Sequence, residues 1–434
     1  MLPVGYFPCT QDPPKGENVA RMIDEIVEQA ELCEQVGFDG FFFTEHHQQE
    51  DGYLPAPVLM AGIVGARTQR IKVGTCVLLA PLYHPIRLAE DIAVVDQATK
   101  GRFITAAGIA YQPSDFDAFG VNIKQRVGRT EEVVEVLRKA WTGQPFSHPS
   151  KYHKIENVRV TPTPYQKGGT PIWLAGWVPE GIERAGRIAD GWIADPIQSL
   201  PVIKEYTRQY REAAKKHSRK PYVCLMRDCV IGDSWQQCVD KSAMTMVTHR
   251  WYYGFGAYAP DKYLQDIKSP DQLTFEKVAQ DRLIAGSPEQ CLDQLKMWQE
   301  EIQPDYLMLR MRQLGEPAQP FDGGAVGCLP GHRRDGDRAP EPVAGTHGHG
   351  HGAFGGEVHR VSRALHLGGD ITGEGARPAG ERRHRAPGHG TPHAHGGVAV
   401  EPHEPRRARP DEPACLHADQ VEHRLGVLFA GDGG

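Results

Sequence analysis

No stretch of this 434-residue chain is apolar over the length of a membrane span. No two cysteines have the C-x-x-C spacing of a zinc or dithiol motif, and the nine present are scattered and odd in number. A disulfide framework is therefore not suggested, and a reducing compartment is expected. Excess charge of one sign is also missing. With 49 Lys and Arg against 55 Asp and Glu, the net charge is −6, which offers no basic field for nucleic acid or an anionic membrane. The opening Met1-Leu2-Pro3-Val4-Gly5-Tyr6 lacks the basic and long apolar regions of a signal peptide, so a cytoplasmic protein is expected.

A second absence divides the chain. Residues 316–434 contain no Lys, Asn, Tyr, Trp or Met; Gly, Pro, Ala, Arg and His replace them. Runs such as His347-Gly348-His349-Gly350-His351 have no hydrophobic period and too little apolar surface to offset their ordering entropy. This bias is what a GC-rich gene yields when read out of frame. The tail is expected to lack a core of its own, with Glu357–Leu367 as one weakly helical segment available as cover. Its histidines, among them His389, His393 and His395, sit on flexible Gly spacers that hold no ligand geometry.

Residues 1–315 alternate short apolar runs with amphipathic stretches, the pattern of βα units and a parallel sheet. Strands are expected at Val4–Phe7, Phe38–Thr44, Ile71–Ala80, Phe103–Ala107, Pro171–Ala175, Gly191–Ala194, Tyr222–Ile231 and Tyr306–Arg310. Helices are expected at Val19–Val36, Pro57–Arg67, Ile86–Ala98, Arg126–Trp141, Glu180–Ile188, Val202–Lys216, Ser234–Val247 and Pro288–Glu301. Eight strands separated by helices predict an α/β protein with a (β/α)8 TIM barrel, an extended excursion from Ser147 to Pro164 and an insertion after strand seven. The alternative, an open doubly wound sheet, would carry a Gly-rich phosphate turn after its first strand; Phe7-Pro8-Cys9-Thr10 stands there. An eighth helix is missing: the chain runs Gly315-Glu316-Pro317 into the tail.

In such a barrel the chemistry sits at the C-terminal strand ends. Strand two ends in Thr44-Glu45-His46-His47, and strand three is followed by His84 and Arg87. Imidazoles there exchange protons near neutral pH or hold a developing anion, unless they merely cap the barrel mouth. A metal held by His46, His47, His84 and Glu45 is a weaker reading, because neighbouring residues of an extended segment diverge. Gly108-Ile109-Ala110-Tyr111 lets a ligand approach the backbone after strand four. Gly176-Trp177-Val178-Pro179-Glu180 opens a helix whose free N–H groups suit a phosphate. The insertion His249–Tyr263, with Trp251, Tyr252, Tyr253, Phe255 and Tyr258, is either self-packing or an apolar roof that excludes water.

Taken in order, Glu45-His46-His47, Val73-Gly74-Thr75, Tyr83-His84-Pro85-Ile86-Arg87, Asp96-Gln97, Lys100-Gly101-Arg102-Phe103, Asp115-Phe116-Asp117-Ala118-Phe119-Gly120, Ile172-Trp173-Leu174-Ala175-Gly176 and Ala189-Asp190-Gly191-Trp192 resemble the bacterial-luciferase-like monooxygenases. The resemblance spans residues 1–315. It implies a (β/α)8 barrel that binds reduced FMN, or in some branches the deazaflavin F420, at the strand C-termini. It assigns His46 to the histidine near the flavin peroxide, and Cys76 and Val77 to a non-proline cis peptide against the flavin ring. Gly176, Trp177 and Glu180 match the phosphate turn. At Ile109 the chain departs from luciferase, which has a phosphate-binding arginine there.

The implied function is oxygenation of a small, largely apolar organic substrate by reduced FMN and O2. A separate flavin reductase would be the partner, and a homodimer is one expectation. The implied catalytic group is Glu45, His46, His84 and Arg87; the implied cofactor site is Cys76, Val77, Gly108, Ala110, Tyr111, Gly176, Trp177 and Glu180. Alternatives are an F420-dependent hydride-transfer enzyme and a non-catalytic flavin-binding protein.

Overall fold

A computed structural model of the chain describes residues 2–311. Expectations for the tail, for the missing eighth helix and for Glu357–Leu367 lie outside the described residues.

Eight parallel strands form the barrel: β1 (Val4–Phe7), β2 (Gly40–Phe43), β3 (Lys72–Thr75), β4 (Phe103–Gly108), β5 (Ile172–Ala175), β6 (Gly191–Ala194), β7 (Val223–Ile231) and β8 (Tyr306–Arg310). Each pairs with the next, and β8 returns to β1 with Val4 opposite Leu307 and Phe7 opposite Arg310. The sheet is closed, so the open doubly wound alternative is not this fold.

Period-two alternation sorts every strand into two cores. Phe42, Ile104, Trp173, Ile193, Cys224, Met226, Tyr306 and Met308 fill the barrel interior. Their neighbours Phe41, Phe43, Phe103, Leu174, Trp192, Leu225 and Leu309 pack outward under the helices. Burial on both faces is why β2 reads as an uninterrupted Phe run. Inside, Phe42 meets Tyr306 edge-on at 5.8 Å, and Trp173 lies 5.4 Å from Tyr306. This aromatic plug closes the lower barrel and leaves the mouth above it for polar side chains.

Several shared motif residues are scaffold at the other end. Arg102 donates to the carbonyls of Gly65, Thr68, Ile71 and Thr99. Asp96 accepts from Gln166 and from the Phe103 amide, and Asp190 accepts from Ile172, Arg138 and Arg219. Each ties one βα unit to the next by satisfying otherwise buried backbone groups.

Three expectations need correction, and the extended excursion gains detail. The strand expected at Ile71–Ala80 breaks at Cys76–Val77, because the chain changes partners: Lys72–Thr75 pairs with β2, and Leu78–Leu79 pairs with the end of β4. The excursion contains an antiparallel pair, Phe146–His148 with Ile155–Val158. The helix expected from Ser234 to Val247 is two, Trp235–Lys241 and Ala243–Gly254, so His249 to Gly254 of the insertion are helical. A short strand outside the expected set, Ile284–Gly286, extends β7 in parallel. Among the described residues no helix is long and apolar enough to cross a membrane.

Candidate active site

The mouth is built from strand ends. Past β2 the His46 amide donates to the Leu54 carbonyl at 3.0 Å, pinning the loop. His46 is 6% exposed, its imidazole stacked on Tyr53 at 4.0 Å and 5.2 Å from Trp251. His47 diverges, as an extended backbone requires. Its Nε2 lies 2.8 Å from Glu45 Oε1, and its ring lies 4.7 Å from Phe119.

Glu45 is a clamp. Oε1 faces His47, while Oε2 accepts from the Leu79 amide at 2.8 Å and the Tyr83 hydroxyl at 2.9 Å. Both oxygens are engaged, which ties the β2 end to the loop after β3. Burial and then the Glu45 charge push the Tyr83 phenol up, so it stays a donor. Asp115, in the short helix Pro113–Ala118, completes this cluster. Burial pushes its carboxyl up to about 6; His47 opposes the shift and Glu45 reinforces it.

His84 and Arg87 are not brought into this group. After β3 the chain runs through Leu78–Leu79 and a tight turn at Ala80–Leu82 before it begins the helix Pro85–Ala98, with His84 as its N-cap, and both residues are exposed. His84 lies 4.8 Å from His153, and its pKa is lowered by partial burial and then by that second imidazole. Arg87 pairs with Asp91 one helical turn on. The contacts of both side chains, His84 with His153 and Arg87 with Asp91, lie at the exposed start of this helix and not with Glu45 or His46.

The cofactor candidates converge better. The Cys76–Val77 peptide is cis. Val77 packs on Gly108, where an added Cβ would stand 2.7 Å from Val77 Cγ2. Burial pushes the Cys76 thiol up, against the opposing charge of Arg310. Ala110 holds a left-handed φ of 56°, uncommon for a residue with a side chain, and it aims Tyr111 across the mouth. After β5, Gly176 and Gly181 approach so closely that a Cβ on Gly176 would stand 2.8 Å from Gly181. Trp192 Nε1 donates to the Gly176 carbonyl at 3.0 Å, which holds the turn. Val178, Pro179 and Glu180 are exposed at the start of the helix Pro179–Ile188. Trp177 turns back onto Tyr252 and Tyr111.

Strand parity places two further groups at the mouth. Asp228 follows Met226 on β7, and Arg310 follows Met308 on β8, on the inward register. Arg310 donates to Asp228 through Nε and, at 2.6 Å, through Nη2. His249 Nε2 lies 2.9 Å from the same carboxylate, and His249 Nδ1 meets the Tyr258 hydroxyl. Burial lowers the His249 pKa to about 4, with Asp228 opposing. The imidazole is thus neutral at pH 7: Nε2–H donates to Asp228 and Nδ1 accepts from Tyr258. Burial alone would raise Asp228, but Arg310 and His249 hold it well below the usual carboxylate range. An Arg-Asp pair inside the otherwise apolar run Val223–Ile231 was the available sequence signal.

His249 belongs to the helix Ala243–Gly254, so this network fastens that helix over the mouth. Its Trp251 and Tyr252, with Phe255 just beyond, meet Tyr111 at 6.1, 5.9 and 4.8 Å. Among the described residues, no group of three or more His, Cys, Asp or Glu is arranged to hold a metal ion.

Residues 3–302 match the family model described as luciferase-like monooxygenase. An uncharacterised protein of Sinorhizobium fredii is 28% identical over 69% of this chain and 87% of its own length. The alkanal monooxygenase alpha chain of Photorhabdus laumondii is 28% identical over 49% of this chain and 59% of its own. Two solved structures share the fold. The oxygenating constituent of 3,6-diketocamphane monooxygenase from Pseudomonas putida, in complex with FMN, has a TM-score of 0.60 at 20% identity, covering 72% of this chain and 91% of that one. An F420-dependent secondary alcohol dehydrogenase has a TM-score of 0.58 at 17% identity, covering 71% and 93%. With residues 3–302, well over half of the chain, matching the family model, this chain belongs to the luciferase-like monooxygenase family.

Proposed function

We propose that this chain is a flavin-dependent monooxygenase that uses reduced FMN and O2 to oxygenate a small, largely apolar organic substrate. The observation that carries the reading is His46: a buried imidazole at the β2 end, held between Tyr53 and Trp251 under an aromatic roof. An ionisable group in such a place suits proton transfer in a site kept from water.

The residues present fit a flavin. Val77 on Gly108 forms a ledge that a Cβ at 108 would disrupt, and the Gly176 turn opens onto an exposed helix start. Cys76, Val77, Gly108 and Ala110 would hold the ring, while the N–H groups of the Gly176–Glu180 turn would receive the phosphate. Reduced flavin, when bound, supplies the two electrons with which O2 is activated. His46 holds or moves a proton at its imidazole. Glu45 positions His47, and Asp115 titrates beside them. Trp251, Tyr252 and Phe255 exclude water.

A separate reductase would supply the reduced flavin. An exposed apolar stripe on two neighbouring helices, Leu59 and Ile63 on Pro57–Arg67 with Val94 on Pro85–Ala98, supports a homodimer formed through that face. Ile109, where luciferase has an arginine, is the observation that keeps F420 hydride transfer as the second reading. Product formation and oxygen uptake with photoreduced FMN, set against turnover with reduced F420, decides between them. Turnover with F420 alone would reverse the assignment.

A further inference from the structure

Tyr111 is the hub of the ring cluster that closes the mouth. Its ring lies 4.8 Å from Phe255 and 5.9 Å from both Trp177 and Tyr252, and Trp177 meets Tyr252 edge-on at 5.4 Å. These rings meet tilted or edge-to-face, the arrangement that ring quadrupoles favour. Phe255 is 40% exposed, so the cluster reaches solvent at that end. Beneath it, Arg310 lies within electrostatic reach of Tyr252 and Tyr53, but its guanidinium is already matched by Asp228. An anionic guest would have to compete with that buried carboxylate.

We propose that the mouth admits an uncharged, planar aromatic substrate, which enters between Tyr111 and the Tyr252–Phe255 edge and replaces their ring–ring packing with its own. The exchange is like for like: every tilted or edge-to-face pairing that opens is remade with the guest. An alkyl chain of equal carbon number restores the buried area but not the quadrupole component. The Tyr252 hydroxyl beside Tyr111 gives a ketone or phenol substituent a hydrogen-bond partner. The inference rests on the flavin reading in one respect: a flavin ring on the Cys76–Val77 ledge leaves the ring cluster to the substrate.

The test is a titration of the full chain with 2-naphthol and with 1-decanol, equal in carbon number and each bearing one hydroxyl. Intrinsic tryptophan fluorescence reports binding, without and with saturating FMN. Naphthol should bind at least tenfold tighter than decanol, keep its affinity when FMN is present, and outbind 2-naphthoate. The double variant Tyr252→Leu, Phe255→Leu should bring the naphthol-to-decanol ratio close to one. Its FMN affinity should stay within threefold, which shows that the variant has folded. Decanol binding as tightly as naphthol would overturn the inference. So would a preference that survives the double variant, or naphthol and FMN displacing one another, since the rings would then be the flavin's platform. A naphthol preference in a chain that fails to bind FMN would defeat the flavin reading alone and support this one.

Discussion

Arg310 and Asp228 sit side by side at the barrel mouth, Nη2 to Oδ2 at 2.6 Å, each the first inward-facing polar residue above the apolar plug on its own strand. They are far apart in sequence, and both are buried. The pair is a structural keystone, because His249 joins it from the roof helix.

Cutting that link should loosen the roof. His249→Phe removes a hydrogen bond to a buried carboxylate and leaves the Tyr258 hydroxyl without its acceptor. A loss of about 2–3 kcal/mol is expected, since unsatisfied buried groups carry their full desolvation penalty. Urea denaturation measures it; an unchanged midpoint and slope would show that the network does not hold the helix. The same histidine sets a pH dependence, because its folded pKa, about 4, lies below the ordinary value of 6.5. The unfolded chain therefore binds the extra proton first. This contribution to stability is complete above pH 6.5 and lost as the pH falls toward 4. Wild-type melting temperature should drop over that window more steeply than that of His249→Phe, and parallel curves would refute the assignment.

Asp115 acts in the opposite sense. Its folded pKa is raised to about 6 from 3.8, so its ionisation weakens the fold at neutral pH. Asp115→Asn should melt higher than wild type at pH 7.5, with the gain shrinking as the pH falls through 6 toward 4. A gain that is constant with pH would point to packing instead of charge.

His46→Ala is expected to lower product formation by roughly 10²-fold or more, the usual scale for a positioned acid or base, while FMN affinity changes by only a few-fold. Oxygen uptake and product are measured together. Wild-type coupling of flavin oxidation to product would remove His46 from the chemistry.

Gly108→Val places a branched side chain where even a Cβ stands 2.7 Å from Val77. Val77 must then leave the ledge, and FMN affinity should fall at least tenfold. Retained affinity, measured by equilibrium dialysis, would move the cofactor elsewhere.

On the outer surface, Ile63→Lys should yield a monomer by light scattering where the wild type is a dimer, because a lysine ammonium in a dry interface is costly. A wild-type monomer would dismiss the stripe as an interface.

Much of this was legible in the chain itself. Apolar runs with alternating amphipathic stretches located all eight barrel strands, since strands buried on two faces must be apolar throughout. Gly191–Ala194 and Tyr306–Arg310 begin and end where expected. The ordered motifs around Glu45-His46-His47 and Lys100-Gly101-Arg102-Phe103 identified the family, because closed parallel sheets leave few ways to join one βα unit to the next. Pattern could not say which way a polar residue turns once its strand has ended. One backbone step separates His46, which turns into the mouth, from His47, which turns toward Glu45 and Phe119, while His84 stands exposed at the start of a helix. The union of Arg310, Asp228 and His249 depended on closure of the barrel and on a helix that crosses its mouth. Those three residues meet only after the chain has folded back over 82 and 21 positions. Local periodicity carries no information about pairings at such separations, so tertiary structure alone decided them.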